Sequence, residues 1–169
     1  FLASLPLAEH GLVWRWPEVD LAHPLDDGTA ALQYRDLERT CDGLGADGAT
    51  WRRIFGPLVR HFEALAGDGL GPVLRWPDHP VLMARFGLRA LLPANVLARA
   101  LRTPAVRGLW AGSAAHLFGP FGRPLSSSVG LMLTAGGHAH GWPVAEGGSG
   151  AITAALVSLL EANGGSVVS

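Results

Sequence analysis

Residues 141–165, GWPVAEGGSGAITAALVSLLEANGG, contain the pattern that decides the fold. An apolar Trp-Pro-Val segment leads into a Gly-Gly-Ser-Gly turn, and the turn opens an amphipathic helix that Ser149 is placed to cap. The helix is expected to end at residues 164–165, before the β-forming residues 167–168. The pattern predicts a glycine turn, a helix and the first residues of a strand. The predicted buried face of the helix consists of Ile152, Leu156, Leu159 and Leu160.

Length and chain ends bear on domain organisation. The chain has 169 residues, about the size of one domain. It begins with Phe1 rather than Met, and a strand that starts at residues 167–168 has no sheet to join within the sequence. We therefore expect residues 1–169 to form a single domain segment of a larger protein.

The N-terminal part predicts a small antiparallel sheet. Residues 12–16 (LVWRW) alternate and are rich in β-forming side chains. Residues 19–25 and 29–35 flank Asp27-Gly28, a hairpin turn signal. These three segments are the predicted strands.

Helical patterns dominate the middle of the chain. Asp36 and Asp47 are predicted N-caps, and Pro57 is expected to kink the second helix. Thr103-Pro104 is a further helix start. The predicted class is α+β, mainly helical with a small antiparallel sheet. The predicted helices cover residues 36–44, 48–66, 80–92, 94–102, a segment starting at 104, and 126–135, with a loop over 67–80.

Composition excludes several classes of function. The net charge is −1 and all thirteen basic residues are arginine, so the chain has neither a strongly basic balance for nucleic acid nor a lysine for Schiff-base or P-loop chemistry. Cys41 is the single cysteine, which excludes an internal disulfide and a Cys-x-x-Cys site. We expect no nucleic-acid partner and a cytoplasmic location.

Charge is scarce in the C-terminal part. Residues 108–169 contain only Arg123, Glu146 and Glu161 as charged side chains. So few charges indicate a surface that packs within a larger protein, lines a lipophilic site or touches a membrane peripherally. The uncharged run 124–145 is too polar to span a bilayer.

Two glycine motifs and the histidines have competing interpretations. Residues 43–48 match G-x-G-x-x-G but follow a helical pattern, so a loop between helices is favoured over a dinucleotide fingerprint. His138-Ala139-His140 would place two imidazoles on one side of an extended segment, a weak metal signal from which we expect no metal site. His116, in a run of small residues, is expected to be an interior histidine.

Residues 147–151 (GGSGA) have three possible roles. They approximate a nucleophile elbow with Ser149 as the nucleophile. They also fit a glycine turn that lets the backbone approach a ligand. The third interpretation, a capped helix after a tight turn, is favoured by spacing alone.

Residues 110–167 carry a series of motifs. They contain an Ala-Gly-x-Ala-Ala-His stretch, a Gly-His-x-x-Gly-Trp-Pro segment, and a Gly-Gly turn opening a helix that ends at Gly-Gly. This series resembles FAD-dependent oxidoreductases of the phytoene dehydrogenase-related group, within the amine-oxidase-like flavoprotein superfamily; residues 5–53 are similar to the same group. The matching positions are Ala111, Gly112, Ala114, Ala115, His116, Gly137, His138, Gly141, Trp142, Pro143, Gly147, Gly148, Gly164 and Gly165.

The resemblance implies a role for the chain. In such flavoproteins a discontinuous Rossmann domain binds FAD, and this chain would be the substrate-side segment without that domain. An apolar substrate would lose a hydride to the flavin. The resemblance places Gly147 and Gly148 toward the cofactor and assigns no catalytic residue. Trp142 lies beside this turn in the charge-poor part of the chain and is the best candidate for lining a substrate pocket, where we also expect His116 and His138. We expect the chain alone to bind FAD weakly.

The sequence leaves two other functions open. One is a serine hydrolase using Ser149, and the other is a non-catalytic module for apolar ligands or membranes. The expected partners are the remainder of the parent flavoprotein, an apolar small molecule and a second copy of the chain through self-association.

Overall fold

A computed structural model describes residues 2–72 and 75–168. Over these residues the chain is mainly helical with two small antiparallel sheets, which confirms the predicted class. None of the helices in the described ranges is long and apolar enough to cross a bilayer. The strands are β1 (Trp14–Arg15), β2 (Leu21–Pro24), β3 (Ala30–Gln33) and β4 (Val144–Ala145). The helices are α1 (Leu37–Gly43), α2 (Gly48–Arg60), α3 (Phe62–Gly69), α4 (Pro80–Ala90), α5 (Ala94–Ala98), α6 (Pro104–Ala114), α7 (Ser128–His140) and α8 (Gly150–Ala162).

The backbone divides into two compact units. The larger unit is Glu18–Gly141, and the smaller unit joins residues 2–17 to residues 142–168. The larger unit contains α1 to α7 with the β2–β3 hairpin, and the smaller unit contains β1, β4 and α8.

The core of the larger unit lies between α2, α6 and α7. Its largest side chains are Trp51 and Phe55 of α2 and Trp110 of α6, all at most 1% exposed. Small residues allow the helices to approach: a Cβ at Gly130 of α7 would lie 2.9 Å from the Cα of Ala114 of α6. Substitution there would separate the two helices.

The hairpin in the larger unit forms as predicted. Leu21 pairs with Gln33 and Pro24 with Ala30 in an antiparallel register. The turn is closed by the Gly28 amide donating to the Leu25 carbonyl, and Gly28 has a φ of +82°. Because a positive φ favours glycine, the Asp27-Gly28 signal decided this turn.

Of the three predicted helix caps one forms and two do not, and the predicted helix start at Thr103-Pro104 is present. The carboxylate of Asp36 accepts the Arg39 amide at 2.7 Å, and Thr103 accepts the Val106 amide before Pro104. Asp47 and Ser149 stand at helix starts but make no side-chain cap, so these predictions were wrong. Asp47 instead accepts hydrogen bonds from Arg102 and Thr103, because its side chain turns into the interior.

Several predicted boundaries shift. The predicted helix 48–66 is divided into α2 and α3 at His61, four residues after Pro57 rather than at Pro57 itself. The predicted helix 94–102 ends at Ala98, whereas the one predicted for 126–135 continues to His140. This longer helix, α7, includes Gly136, whose missing side chain leaves room for the Phe62 ring, 3.1 Å from a Cβ built at Gly136. The loop predicted for 67–80 is shorter than expected, since α3 continues to Gly69. Residues 73 and 74 of this loop lie outside the described part of the chain.

The smaller unit contains a sheet that the sequence did not predict. β1 pairs with β4, matching Trp14 with Ala145, instead of joining the hairpin as expected. A salt bridge between Arg15 and Glu146 at 2.8 Å borders the pair. The small core beneath consists of Leu7, Leu12 and Ala155.

Helix α8 ends as predicted, but the residues after it do not form the predicted strand. Gly164 has a φ of +81°, and the Gly165 amide donates to the Leu160 carbonyl, a Schellman arrangement. The buried residue of α8 is Ala155, and Ile152, Leu156 and Leu159 are partly buried around it. Leu160, predicted to belong to the buried face, is 43% exposed. Residues 165–168 stay irregular, as they have no strand partner in the described chain.

Candidate functional site

His138 is a buried histidine whose two ring nitrogens both have hydrogen-bond partners. It is 5% exposed, and its Nε2 accepts the indole N–H of Trp51 at 3.1 Å. Its Nδ1 lies 3.3 Å from the carbonyl oxygen of Arg35, so Nδ1 carries the proton. Burial lowers the pKa of His138 below its ordinary value, although the Arg35 and Tyr34 backbones act in the opposite direction. The ring is therefore neutral and links α2, α7 and the segment after β3.

His140 has a different environment from His138. The segment is helical, not extended as predicted, so the two rings do not share one side. The exposed His140 contacts Glu63 at 3.0 Å and stacks edge-on against Phe62. Within the described ranges, no three His, Cys, Asp or Glu residues are grouped closely enough to hold a metal ion.

His116 is exposed, so the prediction of an interior histidine was wrong. Its Nδ1 lies 3.1 Å from the Gly112 carbonyl oxygen, one turn earlier, because the ring folds back along the end of α6. No hydrogen bond or ring contact joins His116 to His138 in the described part of the chain.

The other predicted site residues lie in the smaller unit. Trp142 is 42% exposed. Gly147 and Gly148 have φ values of +81° and +92°, and nothing lies within 4 Å of a Cβ built on either. The turn is therefore open, and glycine is required there by its backbone rather than by crowding.

Ser149 lacks the geometry of an activated nucleophile. Its φ and ψ of −61° and −27° are ordinary helical values, whereas an elbow holds its serine in a strained turn. Sequence reasoning missed a serine–histidine pair in the same unit, where His10 Nδ1 lies 2.9 Å from the Ser158 hydroxyl. No local motif could have found it, because the two residues are 148 positions apart.

Exposed apolar side chains on two neighbouring segments are the clearest candidate for a functional site in the larger unit. One segment is residues 117–125, after α6, and the other is residues 91–96, which join α4 to α5 and include the start of α5. Three backbone hydrogen bonds hold these segments together: Leu125 to Leu91, Ser127 to Leu92, and Asn95 to Phe121. We name these side chains the apolar platform; its members are Leu91, Leu92, Val96, Leu117, Phe118, Phe121 and Leu125.

The backbone of the platform is strained at two positions. Phe118 and Leu125 have φ values of +55° and +68°, a region that apolar L-residues rarely occupy. Phe118 is 92% exposed and Leu125 51% exposed, so neither conformation is compensated by burial of its own side chain. Phe118 adopts this conformation where it ends the 3₁₀ helix Ala115–Leu117. Exposed apolar side chains at strained positions motivate the binding role proposed below.

The sequence pointed to this region only in part. Few charges over residues 108–169 predicted an apolar surface, and residues 117–125 lie at its beginning. The contribution of α4 and α5 was not predictable, because it depends on hydrogen bonds between distant segments. Comparisons with protein-family models, with curated proteins and with solved structures found no match to this chain.

Proposed function

We propose that the chain is the substrate-side segment of an FAD-dependent oxidoreductase of the phytoene dehydrogenase-related type. The parent enzyme would oxidise or desaturate an apolar substrate by hydride transfer to the flavin. The remainder of that flavoprotein is the expected partner, and the cytoplasm is the expected compartment. The motif series over residues 110–167 is the basis of the family assignment.

The observation that carries the proposal is the apolar platform. An apolar substrate needs an apolar surface to pack against, and Phe118 presents almost its whole ring for such a contact. The positive φ values of Phe118 and Leu125 support a surface maintained for binding rather than for folding. The platform's role would be to exclude water and to orient the substrate.

The glycine turn supports the cofactor side of the proposal. Gly147 and Gly148 have no side chains and open space around them, so a flat ring system could approach this backbone closely. When bound, the flavin supplies the electron acceptor. We assign no catalytic acid or base to the chain, and the neutral, fully bonded ring of His138 supports a structural role for that residue.

Titration of the purified chain with FAD tests the segment assignment. We expect weak binding or none, because the one G-x-G-x-x-G match lies between helices and not after a strand. Flavin in the product of the complete gene, together with weak binding by the chain alone, is the expected pair of results. Tight stoichiometric FAD binding by the chain alone would overturn the assignment.

A second candidate is a non-catalytic module that binds apolar ligands or membranes, because the exposed ring of Phe118 would serve it equally well. Co-sedimentation with uncharged vesicles separates the two. Binding by the unmodified chain that is lost in Phe118→Asn would favour the module. The hydrolase alternative with Ser149 stays a prediction that no observed geometry favours.

A further inference from the structure

A groove lies between the end of α2 and one face of α4. Its cavity has a volume of about 560 Å³. The floor is apolar, formed by Leu58, Leu82 and Phe86, and the rim carries Arg60, Arg85 and Arg89. We name this the arginine groove.

Helical spacing builds the α4 side of the groove. Leu82, Arg85, Phe86 and Arg89 follow one another at intervals of three, one and three residues, so they share a face of α4. Phe86 is buried and the two arginines are more exposed. The face therefore presents apolar atoms below and guanidinium groups above.

The charges of the groove are not neutralised by the chain. In the described ranges none of Arg60, Arg85 and Arg89 forms an ion pair, although Arg39 pairs with Glu18 and Arg52 with Glu38. His61 also lines the cavity, and no acidic side chain does. Three fixed positive charges around an apolar floor are complementary to an anion that carries an apolar chain.

We propose that the arginine groove binds a single-chain alkyl phosphate. The alkyl chain of the ligand would lie over Leu58, Leu82 and Phe86, and its phosphate would contact the guanidinium groups. A phosphate matches three arginines better than a carboxylate because it carries up to two charges and three acceptor oxygens. The concave shape and volume suit one small ligand rather than a flat membrane surface.

A neighbouring cavity supplies further space for the alkyl chain of the ligand. It has a volume of about 490 Å³ and shares His61, Leu82 and Arg85 with the arginine groove. Ala64 and Val81 continue its apolar lining. This proposal is independent of the flavin assignment, since it uses only residues of α2, α3 and α4 and His61 between α2 and α3.

Binding of dodecyl phosphate to the full 169-residue chain, measured calorimetrically below its micelle concentration, tests the proposal. We expect saturable one-to-one binding. Dodecanol and inorganic phosphate should each bind at least about tenfold more weakly, because dodecanol has no charged group for the arginines and inorganic phosphate has no alkyl chain for the apolar floor. Dodecanoate should bind more weakly than dodecyl phosphate.

The variant Arg85→Gln should weaken dodecyl phosphate binding by about tenfold, and Arg60→Gln/Arg85→Gln/Arg89→Gln should abolish it. Arg99→Gln, which changes an exposed arginine outside the groove, is the matched control and should bind normally. Circular dichroism should be unchanged in all of them. Equal binding by the triple variant and the control would overturn the proposal, as would binding only to anionic vesicles and not to the monomeric alkyl phosphate.

Discussion

At the scale of single residues, two buried polar groups organise the larger unit. His138 and Asp47 are both almost fully buried, and both have their hydrogen bonds satisfied by groups distant in sequence. Buried polar groups of this kind are costly to disturb, because a lost partner leaves a desolvated donor or acceptor.

His138 should make stability depend on pH near neutrality. Burial lowers its pKa below the ordinary value of 6.5, so below about pH 6.5 the unfolded chain binds a proton that the folded chain does not. Stability is therefore lost as the pH falls from 6.5. Urea unfolding should show that His138→Leu costs about 1–3 kcal/mol at pH 8, by leaving the Trp51 N–H unpaired, and that the variant loses less stability as the pH falls.

The exposed residue His116 offers a matched control for this measurement. His116→Leu should change the free energy of unfolding little and should keep the loss of stability below pH 6.5. A His138→Leu variant with the stability and pH dependence of the unmodified chain would contradict the structural role of His138.

Asp47 should make the stability of the fold depend on pH in the acid range. Burial would raise the pKa of Asp47, but hydrogen bonds from the Arg102 amide and from the Thr103 amide and hydroxyl prevail and lower it below 3.8. Its stabilisation is present above about pH 3.8 and is lost as the pH falls further. Chemical unfolding should show that Asp47→Asn costs about 1–3 kcal/mol at pH 7.

Asp42→Asn, at an exposed carboxyl group of the same region, is the control for Asp47→Asn. It should leave the free energy of unfolding within about 0.5 kcal/mol of the original value. If both variants were equally stable at pH 7, the bonds to Arg102 and Thr103 would not contribute as described.

At the scale of elements, the G-x-G-x-x-G segment serves packing. It joins α1 to α2 through a short 3₁₀ turn, Gly45–Asp47, as the loop interpretation predicted. A Cβ at Gly48 would overlap the carbonyl oxygen of Cys41, whereas one at Gly43 would meet nothing. The last glycine thus allows α2 to start against the backbone of α1.

The two glycines should respond differently to alanine. Gly48→Ala should lower the free energy of unfolding by about 1–3 kcal/mol, because α1 and α2 must separate to admit the methyl group. Gly43→Ala should be neutral or slightly stabilising, as alanine is the better helix former. Thermal unfolding of both variants measures this, and equal midpoints would contradict the packing role.

How far the elements can be predicted from the sequence depends on the range of the signal. Asp27-Gly28, Asp36 and Thr103-Pro104 act within a few residues, and the structure has the predicted turn and helix starts there. The pairing of β1 with β4 joins residues about 130 positions apart, and no local pattern encodes it. Asp47 shows a third case, since its position at a helix start was predictable but its partners were not.

In the candidate site, too, local features were predictable and contacts between distant segments were not. The shortage of charge after residue 108 predicted an apolar surface, but not which side chains would form it. The positive φ values of Phe118 and Leu125 have no sequence signal, because neither residue favours that conformation. The arginine groove was not predicted either, since it needs α2 and α4 to be brought together.

At the scale of the whole molecule, exposed apolar area should cause self-association. The apolar platform gives one copy of the chain a surface for another. Phe118→Asn should reduce this association without loss of stability, because asparagine tolerates a positive φ. Leu70→Asn changes an exposed leucine elsewhere and should have no effect. Sedimentation velocity measures both, and a monomeric unmodified chain at high concentration would contradict the prediction.

We propose above that the chain is a segment of a flavin-dependent oxidoreductase. The visible absorption spectrum of the purified product of the complete gene tests it most directly. We predict the bands of oxidised flavin, which bleach on anaerobic reduction and return with air. A colourless protein that also fails to take up added FAD would contradict the claim.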